Sequence, residues 1–464
     1  MGKTQGLDLL FSPASLVVIG ASKDIQRGGG LLLKGLMRSG FKGKLYPVNP
    51  KESEIMGLRS YPSILDIPGG VDLVVVSVPA SVVPQVMSEC GQKGVKFAVV
   101  HSVGFSELGV RGRELENEML QIAQRHGTRI IGPNCMGLYC PGVGLNTIVP
   151  RASLENEAGS IAFLGQSGWV SQSFIEMGYE RGLRFSKVVS IGNQSDLTIE
   201  DLLEYLAADV ETKIIACYIE GIKHGRKFLQ LAKQISRRKP IIVWKAGRTE
   251  VGIRAAASHT GALAGNDAVF SAVLKQGGAI TAQNLEELID LVVGFTCPVL
   301  PLGNRLGVLV ESGAGAVASA DACETLGLEI PILPMETQQE LAYAVQGIIP
   351  AFPNRQNPID IVWVPPEHSA RIFLLCSRII LNDVDAALVM AYTKLDEYFA
   401  TELVGIRDEM EKPIFFISCD STMQQTGVSL LSKKGIPTFT TPERALKVLS
   451  AMVHYSNYLR QNDG

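Results

Sequence analysis

The chain has 464 residues, 46% of them hydrophobic, and a formal net charge of −3. At about 150 residues per domain, that length predicts three domains, each able to bury a core. The near-neutral balance argues against nucleic acid or an anionic membrane surface as the main partner. No apolar run reaches the ~18 residues of a membrane span. The N-terminal stretch is too short and mixed for a signal peptide, and Gly6 stands where a myristoylation motif wants Ser or Thr. The eight cysteines form no CxxC pair and mostly sit in apolar segments, so reduced thiols in a cytoplasmic protein are expected. No metal site is expected.

Along the chain, short β-branched runs alternate with helical periodicity. The runs are 16–20, 73–78, 97–100, 161–164, 214–219, 241–244, 306–310, 386–390 and 414–417, and the segments 31–38, 82–90 and 113–126 between them have helical spacing. This pattern predicts α/β domains with doubly wound parallel sheets. Breaks rich in Pro, Gly and Asn at 140–159 and 297–304 read as linkers, which sets domains at 1–145, 150–297 and 303–464.

Four places carry chemistry. After the first strand, Gly20, Ala21, Ser22 and Lys23, with Arg27 opening a glycine-rich helix, make a phosphate cradle without a clean G-x-G-x-x-G. The second strand ends at Asn49-Pro50-Lys51, where a nicotinamide site wants a carboxylate for the ribose; a cation there favours a ligand with an added phosphate, NADP or coenzyme A. A degenerate nucleotide-binding fold with no ligand is the alternative. Gln166-Ser167-Gly168-Trp169 opens the second domain as an anion turn, with Ser171 behind it. Its glycines are misplaced for a G-x-S-x-G nucleophile elbow. Gly313-Ala314-Gly315 is a similar, weaker turn in the third domain. Glu220, just past a buried strand, is placed either to orient an imidazole or to lie solvated on the surface. His259 lies among small residues at 257–267, downstream of Arg248, Glu250 and Arg254. With a pKa near ~6.5 it is a usable nucleophile on a loop, or simply a solvated histidine.

These motifs together resemble the α chain of the NDP-forming acyl-CoA synthetases, in the succinyl-CoA synthetase superfamily, most closely the ADP-forming acetyl-CoA type. The resemblance is carried by Ala257-Ser258-His259-Thr260-Gly261-Ala262-Leu263-Ala264-Gly265, Lys245-Ala246-Gly247-Arg248, Gly132-Pro133-Asn134-Cys135-Met136-Gly137 and Asn357-Pro358-Ile359-Asp360, and it covers nearly the whole chain. It implies a Rossmann-like CoA-binding domain followed by two flavodoxin-like ligase domains. It also implies that His259 carries a phosphoryl group, that Glu220 orients its ring, and that the CoA site extends to Val78, Pro79, Asn134 and Cys135. The family's ATP-grasp domains have no counterpart here. The resemblance therefore implies a separate ATP-grasp β subunit in an α2β2 complex, with ADP or ATP and Mg2+ bound through that partner. The third-domain turn departs from the family, which commonly shows Asn-Ala-Gly-Gly where this chain has Glu311-Ser312-Gly313-Ala314-Gly315; Glu311 would repel a phosphate. A smaller departure is Val103 in place of an alanine. Two other readings stay open: a CoA-sensing module without catalysis, and an NADP-dependent oxidoreductase.

Overall fold

In the computed structural model, the described residues are 6–149, 154, 156–260, 267–349, 354–418 and 425–462, with backbone alone described at 256–260 and 425–426. Two compact units divide the chain. The first runs to Met177 and resumes over Arg184–Leu285; the second holds Gly178–Leu183 and everything from Glu286 on.

The first unit contains two sheets. After a short helix α1 (Asp8–Phe11) come β1 (Ser15–Ile19), α2 (Gly28–Arg38), β2 (Lys44–Val48) and a small hairpin of β3 (Glu54–Ile55) and β4 (Leu58–Arg59). Then follow β5 (Leu73–Val76), α3 (Val83–Lys93), β6 (Phe97–Val100), α4 (Val110–His126) and β7 (Arg129–Ile131). The sheet order is β2-β1-β5-β6-β7 and every pairing is parallel. All residues of β1, β5 and β6 are buried, as expected of strands covered by helices on both faces.

The second sheet takes β8 (Gly137–Cys140), β9 (Leu145–Asn146), β10 (Ala158–Gly165), β11 (Phe185–Ser190), β12 (Ile214–Ile219), β13 (Ile241–Lys245) and β14 (Ile280–Ala282). With them run α5 (Gly168–Glu180), α6 (Ile199–Ala208), α7 (Gly225–Ile235), α8 (Glu250–Thr260) and α9 (Asp267–Gln276). Its order is β14-β13-β12-β10-β11-β8-β9. Part of the stretch expected as a linker is therefore strand: β8 pairs antiparallel with β11, and β9 with β8. Strands of two to four residues carry too little alternation to be read from sequence.

The second unit holds the third sheet. Its elements are α10 (Leu285–Phe295, whose first residue belongs to the first unit), β15 (Leu306–Val310), α11 (Gly313–Leu326), α12 (Met335–Ala344), β16 (Ile359–Asp360), α13 (Pro366–Ile380) and β17 (Ala386–Ala391). They continue with α14 (Glu397–Met410), β18 (Ile414–Ser418), α15 (Gln425–Lys433), β19 (Thr438–Phe439) and α16 (Pro442–Asn462). The order β16-β15-β17-β18-β19 repeats that of the first sheet. In each sheet the strand order reverses at one strand: β1, β10 and β15. The three glycine turns singled out in the sequence follow those strands, at the crevices where doubly wound sheets bind ligands.

One ionic cluster stabilises the second unit. Asp290, 4% exposed, accepts from Arg181 Nη1 at 2.8 Å and from Arg444 Nε and Nη2 at 2.7 and 2.8 Å. Arg181 also donates to the Thr438 carbonyl at 2.8 Å. Asp290→Ala would leave the partly buried Arg181 without its carboxylate and Arg444 with Glu286 alone, and we expect it to destabilise the unit by about 3 kcal/mol. The check is urea unfolding: a shift below about 1 kcal/mol would mean that solvent screens the cluster.

Candidate functional site

The head of the second sheet is built around Glu220. This residue follows β12 and is 7% exposed, so it is not a surface carboxylate. Its backbone is gripped by two side chains. Gln166 Oε1 accepts from the N–H of Glu220 at 2.5 Å and of Gly221 at 3.0 Å, and Gln166 Nε2 donates to the Gly221 carbonyl at 2.6 Å. Lys245 Nζ donates to the Glu220 carbonyl at 3.0 Å. Along β12, residues two apart share a face, and Tyr218 accordingly turns its hydroxyl toward the Glu220 carboxyl. Burial, and then the charge and hydrogen bond of Glu220, raise the tyrosine pKa. Trp244 stands edge-on to Tyr218, ring centroids 4.7 Å apart. Glu220 Oε2 is buried and has no hydrogen-bond partner among the described residues. A carboxylate oxygen left unmatched is costly unless a donor arrives.

The neighbouring turn opens α5. Gly168 lies against Met136, where a Cβ would come within 2.7 Å of the Met136 side chain. Trp169 is 68% exposed beside this turn and forms no part of the core. Ser171 is buried, its hydroxyl donating back to the Ser167 carbonyl at 2.8 Å. The Ser167 hydroxyl accepts from Val170 N–H at 3.4 Å. The amide of Gln166, read from sequence as an anion ligand, is thus occupied by the Glu220 turn, 54 residues away in sequence.

At the first sheet, Gly20 has φ +88, and a Cβ there would meet the Ser77 carbonyl oxygen at 2.2 Å, so only glycine fits. Asn49 Nδ2 donates to the Ala21 carbonyl at 2.7 Å, and Asn49 Oδ1 accepts from Lys51 N–H at 2.8 Å; Asn49 ties the end of β2 to this turn. Ser22 donates weakly to the Asp24 carbonyl at 3.5 Å. Lys23 pairs with Glu52 at 2.5 Å and Arg27 with Asp24 at 2.8 Å, both pairs well exposed. Such surface pairs contribute little, so either cation can turn to a phosphate at small cost. The Val78 carbonyl accepts from Ser102 Oγ at 2.6 Å, and Pro79 starts the turn that follows. Asn134, at φ +56, donates from Nδ2 to Asn193 at 3.3 Å. Cys135 is a packing residue: its thiol donates to the Val100 carbonyl at 3.4 Å, and burial pushes its pKa up to about 12. The turn 132–137 is stitched to the loop after β11 by Asn193 N–H to the Pro133 carbonyl and Ser195 N–H to the Gly132 carbonyl, at 3.0 and 3.1 Å. This brings the ends of the first and second sheets together.

In the second unit, Ser312 caps α11, its Oγ accepting from Gly315 N–H at 3.4 Å. Glu311 accepts from Tyr392 N–H at 2.6 Å, and burial raises its pKa. The Asp360 carboxylate lies close to Gly313. Two carboxylates thus flank the turn Gly313-Ala314-Gly315, an electrostatic setting unlike that at Gly168.

His259, expected on a loop, lies by its backbone in the last turn of α8. The preceding Arg254-Ala255-Ala256-Ala257 favours helix. The glycine-bounded residues 261–266 and the His259 ring lie outside the described residues. α8 runs beside the turn Ser106–Leu108. There Glu107 accepts from Gly104 N–H at 2.6 Å, Phe105 N–H at 3.1 Å and Asn193 Nδ2 at 2.7 Å. Burial alone would raise the Glu107 pKa, but these hydrogen bonds hold it below the ordinary value. Tyr218, Asn193 and the bracing role of Lys245 escaped the sequence reading; only the period of β12 hinted at the first.

Comparison with known proteins bears on this arrangement. A family model described as a CoA binding domain matches residues 14–141, and one described as the succinyl-CoA ligase like flavodoxin domain matches 158–295. The chain is 36% identical to the α subunit of acetate–CoA ligase (ADP-forming) II of Pyrococcus furiosus, over 96% of this chain and 97% of that one. It is 38% identical to acetate–CoA ligase (ADP-forming) I of Archaeoglobus fulgidus over 97% of its own length, and spans 64% of that longer protein. Among solved structures it matches the dinucleotide-forming acetyl-coenzyme A synthetase 1 of Ca. Korarchaeum cryptofilum, determined with phosphate and ADP. That match has a TM-score of 0.87 at 36% identity and covers 99% of both chains. A CoA-binding α/β domain, a ligase-type flavodoxin domain and near-full-length identity of this degree place the chain in the ADP-forming acetate–CoA ligase family, on the side of its α subunits.

Proposed function

We propose that this chain is the α subunit of an ADP-forming acetyl-CoA synthetase that carries its phosphoryl group on His259. Phosphate attacks the thioester carbonyl of the acyl-CoA; the C–S bond breaks, leaving acyl phosphate and CoA. A ring nitrogen of His259 then attacks phosphorus, the P–O bond to the acyl group breaks, and the carboxylate leaves. The phosphohistidine finally passes its phosphoryl group to ADP, giving ATP.

The observation that carries this reading is the held Glu220 carboxylate, with an unmatched buried oxygen, at the switch point of the second sheet in a chain of this family. An imidazole N–H is a fitting donor for that oxygen. The pairing fixes the ring's tautomer and stabilises the imidazolium that forms as phosphorus is attacked. The start of α5, Ser167-Gly168-Trp169, offers N–H groups and a helix dipole to the phosphoryl oxygens. The first sheet, with Gly20, Lys23, Arg27 and Lys51, takes CoA. We assign domains 1–145, 150–297 and 303–464 to CoA binding, histidine phosphorylation and a second ligase role. ADP and Mg2+ enter with an ATP-grasp β subunit in an α2β2 assembly; the relatives named as α subunits support such a partner. Free cysteines among the described residues suit a cytoplasmic setting. The nicotinamide reading gives way to the family membership.

The test is ATP formation from acetyl-CoA, ADP and phosphate by the chain together with an ATP-grasp partner. We expect turnover that needs both subunits. Binding of CoA with no turnover across a range of acyl-CoAs would replace this reading by a CoA-sensing module.

A further inference from the structure

Lys245, the last residue of β13, is 5% exposed. Besides the Glu220 carbonyl, its ammonium donates to the carbonyl of Ala246. It lies 5.5 Å from the ring centroid of Phe270 on α9. It also feels the opposite charge of Asp267, the first residue of α9. Asp267 Oδ1 is buried with no hydrogen-bond partner among the described residues. One cation therefore touches three pieces of chain: the Glu220 turn, the link into α8 and the start of α9. The link is pinned a second time where Arg248 donates to the side chain of Gln283 and, at 3.1 Å, to its carbonyl. Burying an ammonium is expensive unless it is paired and hydrogen-bonded, and β13 is otherwise apolar on this face. A purely structural strand end would be met more cheaply by another isoleucine or valine.

We infer that Lys245 is a positioning residue for the phosphoryl-transfer reaction: by tying the entry to α8 and the start of α9 to the Glu220 turn, it sets where the His259 helix stands relative to the Glu220 carboxylate. Nothing in this role requires Lys245 to touch a substrate. The inference rests on the proposed role of His259, but its first readout does not.

The experiment compares Lys245→Met, which keeps the length and removes the charge, with Lys245→Arg and Asp267→Asn, in the complex with the partner subunit. Backbone hydrogen exchange is followed over α8 and, as a reference, over β5 and β6. We expect the Lys245→Met α8 amides to exchange about tenfold faster with the reference strands unchanged. We also expect kcat about tenfold lower, KM for acetyl-CoA within about twofold, and partial recovery of kcat in Lys245→Arg. Unchanged exchange in α8, or equal acceleration in the reference strands, would overturn the positioning role. If Lys245→Met does not fold, Asp267→Asn decides on the same exchange criterion, because it leaves the two carbonyl contacts in place. If His259 proves not to carry phosphate, the exchange data still decide whether Lys245 places α8, so the two failures are separable.

Discussion

We expect His259→Ala to lower ATP formation from acetyl-CoA by at least about 1000-fold, the scale on which removal of a covalent nucleophile is felt. We expect the unaltered chain to take up a radioactive phosphoryl label that is acid-labile and base-stable, and the same substitution to remove it. Both effects follow from the proposed role of the ring. In the proposed mechanism the imidazole is the acceptor between acyl phosphate and ADP; His101 is buried, and burial lowers its pKa to about 4. CoA binding at the first sheet should be untouched, because the cradle after β1 uses none of the residues of α8. A label that survived in the variant would remove His259 from the mechanism, whatever the activity did.

Glu220→Gln is the second large effect. The glutamine keeps the length of the side chain, and the contacts that Gln166 and Lys245 make to backbone atoms survive. What is lost is the negative charge that we propose faces the His259 ring. We expect kcat to fall about 100-fold or more, on the pattern of an orienting carboxylate replaced by its amide, while KM for acetyl-CoA stays near its original value. Glu220→Asp, which keeps the charge but retracts it, should recover only part of the rate. A loss confined to KM would place Glu220 in substrate binding instead. A melting temperature that falls with the activity would point to the turn rather than to the chemistry; the buried backbone hydrogen bonds of this turn make that comparison necessary.

Much of the fold was legible because buried parallel strands write themselves as short apolar runs. β6, β12 and β15 begin and end where Phe97–Val100, Ile214–Ile219 and Leu306–Val310 do. Most strands that escaped, among them β7, β8, β9, β14, β16 and β19, have two to four residues; β11, with six, escaped because Ser186, Lys187 and Ser190 interrupt its apolar run. The site divides on the same line. Glycine-rich turns after β1, β10 and β15 were readable, since a strand, a glycine and a helix start are local. The use to which Gln166 is put was not, because its partners lie 54 and 55 residues on. Cys135 looked like a ligand from its motif, yet its thiol is turned toward the Val100 carbonyl. Motif membership does not tell which way a side chain points. The histidine segment was read as loop because small residues and glycines surround it, although the alanines just before it extend a helix through the histidine.

Five residues separate the last strand of the first sheet, ending at Ile131, from the first strand of the second, beginning at Gly137. That short span is itself bonded to the loop after β11 at Gly132 and Pro133, and the chain then lays down β8 and β9 as the far edge of the second sheet before its parallel core is wound. The joint between the two sheets is therefore short and hydrogen-bonded along its length. A carrier that must visit two reaction centres needs a rigid bench to push against. On the proposed mechanism the pair of sheets is that bench, and the travel of the phosphoryl group falls to the histidine's own segment.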